Sequence, residues 1–184
     1  MLKFTLDTNG VIDLEENRPN ATFIRLLISA WQSKIIQLAV VAISASEKQP
    51  SGGYNSKFCE FEKKLAEVGL AGVECLLPMA YWDVAFWGHA LWSAESMVAL
   101  ERKIHDVLFP NMDFDAPTEH DSTMQAWRNR KCDVQIAWAH IYHGYDVLVT
   151  SDQNFHRNAD KLEALGLKKI ASPEEAAHMI KELT

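Results

Sequence analysis

The run "YDVLVT" (145–150) gives way to Ser151 and Asp152, a carboxylate placed where no Gly or Pro relaxes the turn. "LKFTL" (2–6) stops in the same way at Asp7, and "IIQLAVVAIS" (35–44) is followed by Glu47. Asp133 opens the helical segment that leads into 145–150. Parallel sheets bind ligands at the carboxyl ends of their strands, so these four acids can converge on one edge. Clustered carboxylates are costly unless a cation neutralises them. Oxygen-only ligands without His or Cys suit a hard ion, Mg²⁺ or Mn²⁺, in one or two copies. Taken singly, Asp7 and Asp152 also read as helix N-caps or turn formers, because Asp before Thr-Asn and Ser-Asp before Gln-Asn are common turn chemistry. The combination is what points to metal.

Positioning such acids requires strands that alternate with helices. The segments 2–6, 35–44, 72–78 and 145–150 read as strands, and "KKIA" (168–171) as a last short one. Helical spacing marks 20–32, with Phe23, Ile24, Leu27, Ile28 and Trp31 on one side. It also marks 57–69, 131–144, stopped at Gly144, and 159–166. Residues 81–108 read as one long helix or two shorter ones. "QPSGGYNS" (49–56) and 109–122 are loops by composition. In 172–183, Ser172, Pro173 and Glu175 spell an N-cap, a first-turn Pro and a capping box. The pattern predicts a single three-layer α/β/α sandwich over 1–184 with a mainly parallel central sheet.

The 184 residues are 48% hydrophobic and 23% charged, an ordinary balance for one domain with a sizeable core. No stretch is apolar enough to span a bilayer, and an acid arrives too early for a signal peptide. Cys59, Cys75 and Cys132 are scattered and odd in number, which fits reduced thiols in a cytoplasmic protein. A net charge of −7 excludes a whole-surface polyanion binder, so nucleic acid would need a local basic patch or metal ions.

"FTLDTNGVID", Glu47 after the second strand, and "CDVQIAWAHIYHGYDVLVTSDQNFHR" together resemble the PIN-domain nucleases, which include VapC-like toxins. The last segment is the most specific part, with Thr150, Asp152 and Phe155 in a Thr-x-Asp-x-x-Phe pattern. The resemblance covers about 1–48 and 131–184. Residues 74–130 match nothing in it and read as a helical insertion. It implies a Mg²⁺- or Mn²⁺-dependent endoribonuclease that hydrolyses RNA with a metal-activated water, stand-alone or as the toxin of a toxin–antitoxin pair with an antitoxin protein as partner. Asp7, Glu47, Asp133 and Asp152 would be its acidic cluster, Asn9 would orient Asp7 or contact a ligand, and Thr150 would support the last acid through its hydroxyl. Asp133 at a helix N-terminus should stay ionised. Arg128, Arg130 and Lys131 lie before Asp133, and His156 and Arg157 lie after Asp152. If the two acids meet, these cations form a lip that holds RNA phosphates; a solvated basic face is the alternative.

Other features carry less. Trp82, Phe86, Trp87 and Trp92 suit a core stripe or homodimer contact better than a base-stacking platform. His140 and His143 have helical spacing for zinc but no third ligand. Cys132 has no partners for a nucleophile, and Asp113 with Asp115 lacks the rest of a calcium loop. Two rival functions remain. One is a non-catalytic PIN-fold module that binds nucleic acid or protein. The other is a haloacid-dehalogenase-type phosphatase, which needs a second Asp where this chain has Asn9.

Overall fold

The computed structural model describes residues 1–46, 58–81, 84–86, 88–117 and 122–183; Glu47, the 49–56 loop, Trp82 and Trp87 lie outside them. Five short strands, β1 (Lys3–Leu6), β2 (Gln37–Val41), β3 (Glu74–Leu76), β4 (Val147–Val149) and β5 (Ile170–Ala171), form one sheet in the order β3-β2-β1-β4-β5. Every pairing is parallel. The chain builds outward from β1 to β3, then crosses back to lay β4 on the other side of β1. The order therefore reverses between β1 and β4, and the crevice at such a reversal is where open α/β sheets bind ligands.

Strand side chains alternate between two apolar cores. Phe4, Leu6, Leu38, Val40, Val147 and Val149 pack with Ile24, Leu27 and Ile180. Ala39, Val41 and Leu148 pack with Ile104, Ile136 and Trp138. The first core is covered by α1 (Thr8–Glu15), α2 (Ala21–Gln32), α3 (Phe58–Glu67) and α8 (Pro173–Lys181). The second is covered by α4 (Glu95–Leu108), α5 (Ser122–Tyr142), α6 (Gln153–Arg157) and α7 (Ala159–Glu163). Helices thus cover both faces of the sheet, as a three-layer sandwich requires. The capping box at Ser172 forms, with Glu175 N 3.2 Å from the hydroxyl and the Glu175 carboxylate 2.8 Å from Ser172 N. Among the described residues, no helix is long and apolar enough to cross a membrane.

Three expectations need correction. The described residues between 81 and 94 do not form the front of a long helix. Gly88 takes φ +79°, and Leu91 instead bridges to Met79, with Ala80 N donating to Leu91 O and Leu91 N to Pro78 O. The segment 74–130 is accordingly not all helical: it opens with β3 and turns helical at Glu95. The last long helix starts at Ser122, well before 131, so Asp133 does not open it.

Helix α4 is fastened to α5 by a buried polar knot. The Lys131 ammonium sits 3.0 Å from Glu101 Oε1, which also accepts from Gln135 Nε2 at 2.8 Å. Tyr81 donates its hydroxyl to Glu101 Oε2, and Gln135 Oε1 accepts from Met79 N. The ammonium also lies 3.8 Å from the centre of the Phe114 ring. Glu101 and Lys131 have 0% and 1% of their surface exposed, and burial at that depth is tolerated because each charge has a partner.

Packing at the start of α1 is tight. A Cβ on Gly10 would stand 2.4 Å from Leu6 Cδ1, inside a buried contact. The helix-propensity gain of Gly10→Ala, ~1 kcal/mol, is smaller than the overpacking cost of ~1–3 kcal/mol. Thermal denaturation should find the variant roughly 2–6 °C less stable. An unchanged or higher melting temperature would show that Leu6 can swing aside.

Candidate acidic site

Asp7 follows the last residue of β1 and continues its ladder, donating its backbone N–H to Val149 O at 3.0 Å. It is also the N-cap of α1, with Oδ1 accepting from Thr8 N at 2.7 Å. Oδ2 accepts from the Thr150 hydroxyl at 2.6 Å and from Asn9 Nδ2 at 3.2 Å. These donors favour the carboxylate, but the residue is 3% exposed, and loss of hydration outweighs them. Burial, with a smaller push from the nearby charge of Asp152, raises the Asp7 pKa to about 6.

Asp152 lies past β4 and caps α6, its Oδ1 accepting from Asn154 N at 2.8 Å. Thr150 joins the two acids: its hydroxyl donates to Asp7 and accepts from Asp152 N at 3.0 Å. Thr150 is itself pinned, its N–H donating to Ala171 O and its carbonyl lying 2.9 Å from His156 Nε2. A hydrogen bond from Thr8 to Ser44 holds the start of α1 against the turn that follows β2. Asn9 and the Thr150 hydroxyl thus both donate to the Asp7 carboxylate, and Thr150 meets Asp152, which it was expected to support, only at its backbone N–H. The simpler reading of Asp7 and Asp152 as helix caps also corresponds to bonds in the structure.

Asp133 is half-buried about three turns into α5, so the helix dipole at an N-terminus does not act on it. Its helical face can still be placed. His140, seven residues on, lies on the same stripe of α5, and its Nδ1 meets the Thr5 hydroxyl of β1 at 2.9 Å. Burial lowers the pKa of that imidazole to about 4, which keeps it neutral. Because α5 feeds parallel β4, it runs back across the sheet. Asp133 therefore stands ~10 Å from His140 toward the edge that carries Asp7. Glu47 lies outside the described residues. Among the described residues, no three His, Cys, Asp or Glu side chains stand together in a way that could hold a metal ion. The acids brought together are Asp7 and Asp152.

The basic lip is only partly present. Lys131 is locked inside the α4–α5 knot and is not available to RNA. His156 is half-buried, with its Nε2 spent on Thr150 O. Arg157 is exposed, its Nε donating to Gln153 O at 3.2 Å, and Arg128 and Arg130 are half-buried on α5. Of the remaining candidates, His143 Nε2 meets Leu77 O at 3.0 Å. Phe86 packs on the first core, while Trp92 is 80% exposed.

Sequence reasoning missed Asn154. Its side chain donates to Leu108 O at the end of α4, while its backbone N–H caps Asp152. An Asn two residues past a strand-end Asp was the only signal for it. Comparison of the chain with known protein families, with curated proteins and with solved structures finds no match in any of the three.

Proposed function

We propose that the chain is a Mg²⁺- or Mn²⁺-dependent endoribonuclease of the PIN type, in keeping with the resemblance of its two ends. The observation that carries this is the Asp7–Thr150–Asp152 arrangement at the point where the strand order reverses. A buried carboxylate with a pKa raised to about 6 beside a second carboxylate is unfavourable on its own, and a divalent cation relieves it. The donor set fits such an ion. A carboxylate offers about four acceptor sites, and Asp7 uses three on protein donors. Asp7 and Asp152 would hold the ion, with Asp133 and Glu47 as the remaining acids of the set. When bound, the ion supplies charge neutralisation for the phosphodiester and an acidified water as nucleophile. The protein side chains do the positioning: Thr150 and Asn9 fix the Asp7 carboxylate, Asn154 fixes Asp152, and Arg157 and Arg128 offer cations to the RNA backbone.

The test is incubation of labelled RNA with the purified protein and Mn²⁺, with and without EDTA. Cleavage is expected to stop on chelation. It should also fall at least ~100-fold in Asp152→Asn, which keeps the α6 cap but loses the charge. Cleavage that survives both would end the proposal.

The lack of three clustered ligating side chains among the described residues favours a second reading, a PIN-fold module that binds RNA or a protein partner without catalysis. Calorimetric titration with Mn²⁺ separates the two, since only the nuclease requires a heat of binding that Asp7→Asn abolishes.

A further inference from the structure

The last turns of α4, residues 112–117 and the first turns of α5 line an open cleft of about 610 Å³. Arg102, His105, Trp127 and Arg130 line it, and Asp106, Asp113 and Asp115 form other parts of its wall. Neither Asp7 nor Asp152 lines the cleft; Asn154 connects the two regions, donating to Leu108 O at the end of α4 and to the Asp152 carboxylate. His105 is one turn back along α4, its carbonyl accepting from Phe109 N. Arg130 is one turn before Asp133 on α5, on the same helical face.

Two buried polar groups here lack partners. His105 is 3% exposed, and neither ring nitrogen makes a hydrogen bond. Its closest acid, Asp106, is 3.6 Å from Nδ1, too far for one. Arg130 Nε is likewise buried and unbonded. Native interiors rarely leave such groups unpaired without a ligand or another functional reason. The Arg102 guanidinium carbon, by contrast, lies 4.2 Å from the centre of the Phe114 ring, which sets it in the wall.

We propose that this cleft holds the unpaired nucleotide that flanks the scissile phosphate. Arg102 and Arg130 hold its phosphate, which guanidinium groups match in shape and charge. His105 meets the hydrogen-bonding edge of the base. The aspartates on the rim accept from ribose hydroxyls or base amino groups, so the site suits one ribonucleotide unit better than a dense polyanion. The proposal rests on the nuclease reading for its role and deepens it by naming where the strand lies.

Fluorescence anisotropy with a labelled single-stranded oligoribonucleotide in EDTA reads binding separately from cleavage. Arg102→Met, at an exposed position, and Arg130→Met should each weaken binding about tenfold. Arg25→Met, on the opposite helical layer, should not change it. Unchanged affinity in both cleft variants, or an equal loss in Arg25→Met, overturns the proposal. Cleavage with Mn²⁺ by the same proteins would then still support the nuclease. Conversely, binding that depends on both arginines without any Mn²⁺-dependent cleavage supports the cleft as an RNA site and removes the nuclease.

Discussion

Asp7→Asn, freed of divalent ions at pH 7.5, should melt roughly 3–6 °C above the unsubstituted protein while losing at least ~100-fold of its Mn²⁺-dependent cleavage. Burial raises the Asp7 pKa from 3.8 to about 6, so ionising it in the folded chain costs about 3 kcal/mol more than in the unfolded chain. The sign follows from proton linkage. Between pH 3.8 and about 6 the folded chain holds a proton that the unfolded chain has released. Stability therefore falls as pH rises through that window and stays reduced above it. Asn carries no such cost. It gives back about 1 kcal/mol because it cannot accept from both Thr150 and Asn9 as the carboxylate does. Melting curves from pH 3.5 to 7.5 should show the difference between the two proteins moving in favour of Asn as pH rises toward 6 and then levelling off. Saturating Mn²⁺ should narrow the gap, since it stabilises only the protein that binds it. A difference that does not vary with pH would mean that Asp7 is not desolvated as described.

Glu101→Leu has the largest expected effect on stability, a loss of about 3–5 kcal/mol. It strands three groups at once: the Lys131 ammonium, the Gln135 amide and the Tyr81 hydroxyl. Burial already lowers the Lys131 pKa despite the attraction of Glu101, so without that partner the ammonium has little reason to remain charged. The midpoint in denaturant should drop with little change in slope, since the same surface is exposed on unfolding. Glu101→Leu combined with Lys131→Met should recover the part of the loss that comes from the stranded ammonium, leaving the Gln135 amide and Tyr81 hydroxyl unpaired. A double variant no more stable than the single one would show that the knot does more than satisfy its own charges.

The strands and their terminal acids were legible because β-branched runs stop abruptly at Asp7 and near Asp152. α1 was not, since "TNGV" reads as a turn and Gly10 weakens the helical pattern; the close approach to Leu6 explains the glycine. The early start of α5 was hidden because its first turns, "STMQAWRNR", show no clean apolar period. That error put Asp133 at a helix end. Lys131 was the least legible. In "RNRK" it looks like one solvated cation among several, and its partner Glu101 is thirty positions away, in a helix whose packing no local pattern reveals. Asp7 and Asp152 are fixed by local rules of strand and cap, whereas the knot and the cleft exist only through the docking of α4.

Both carboxylates of the pair begin a helix, and if they hold the proposed ion, capping limits how they can move to meet it. Neither can rotate to widen the gap without giving up the first backbone amide it holds. The calibre of the mouth is thus set by main chain. If the pair holds the proposed ion, a small octahedral one asks less adjustment of these fixed carboxylates than Ca²⁺, which prefers more oxygens at longer range.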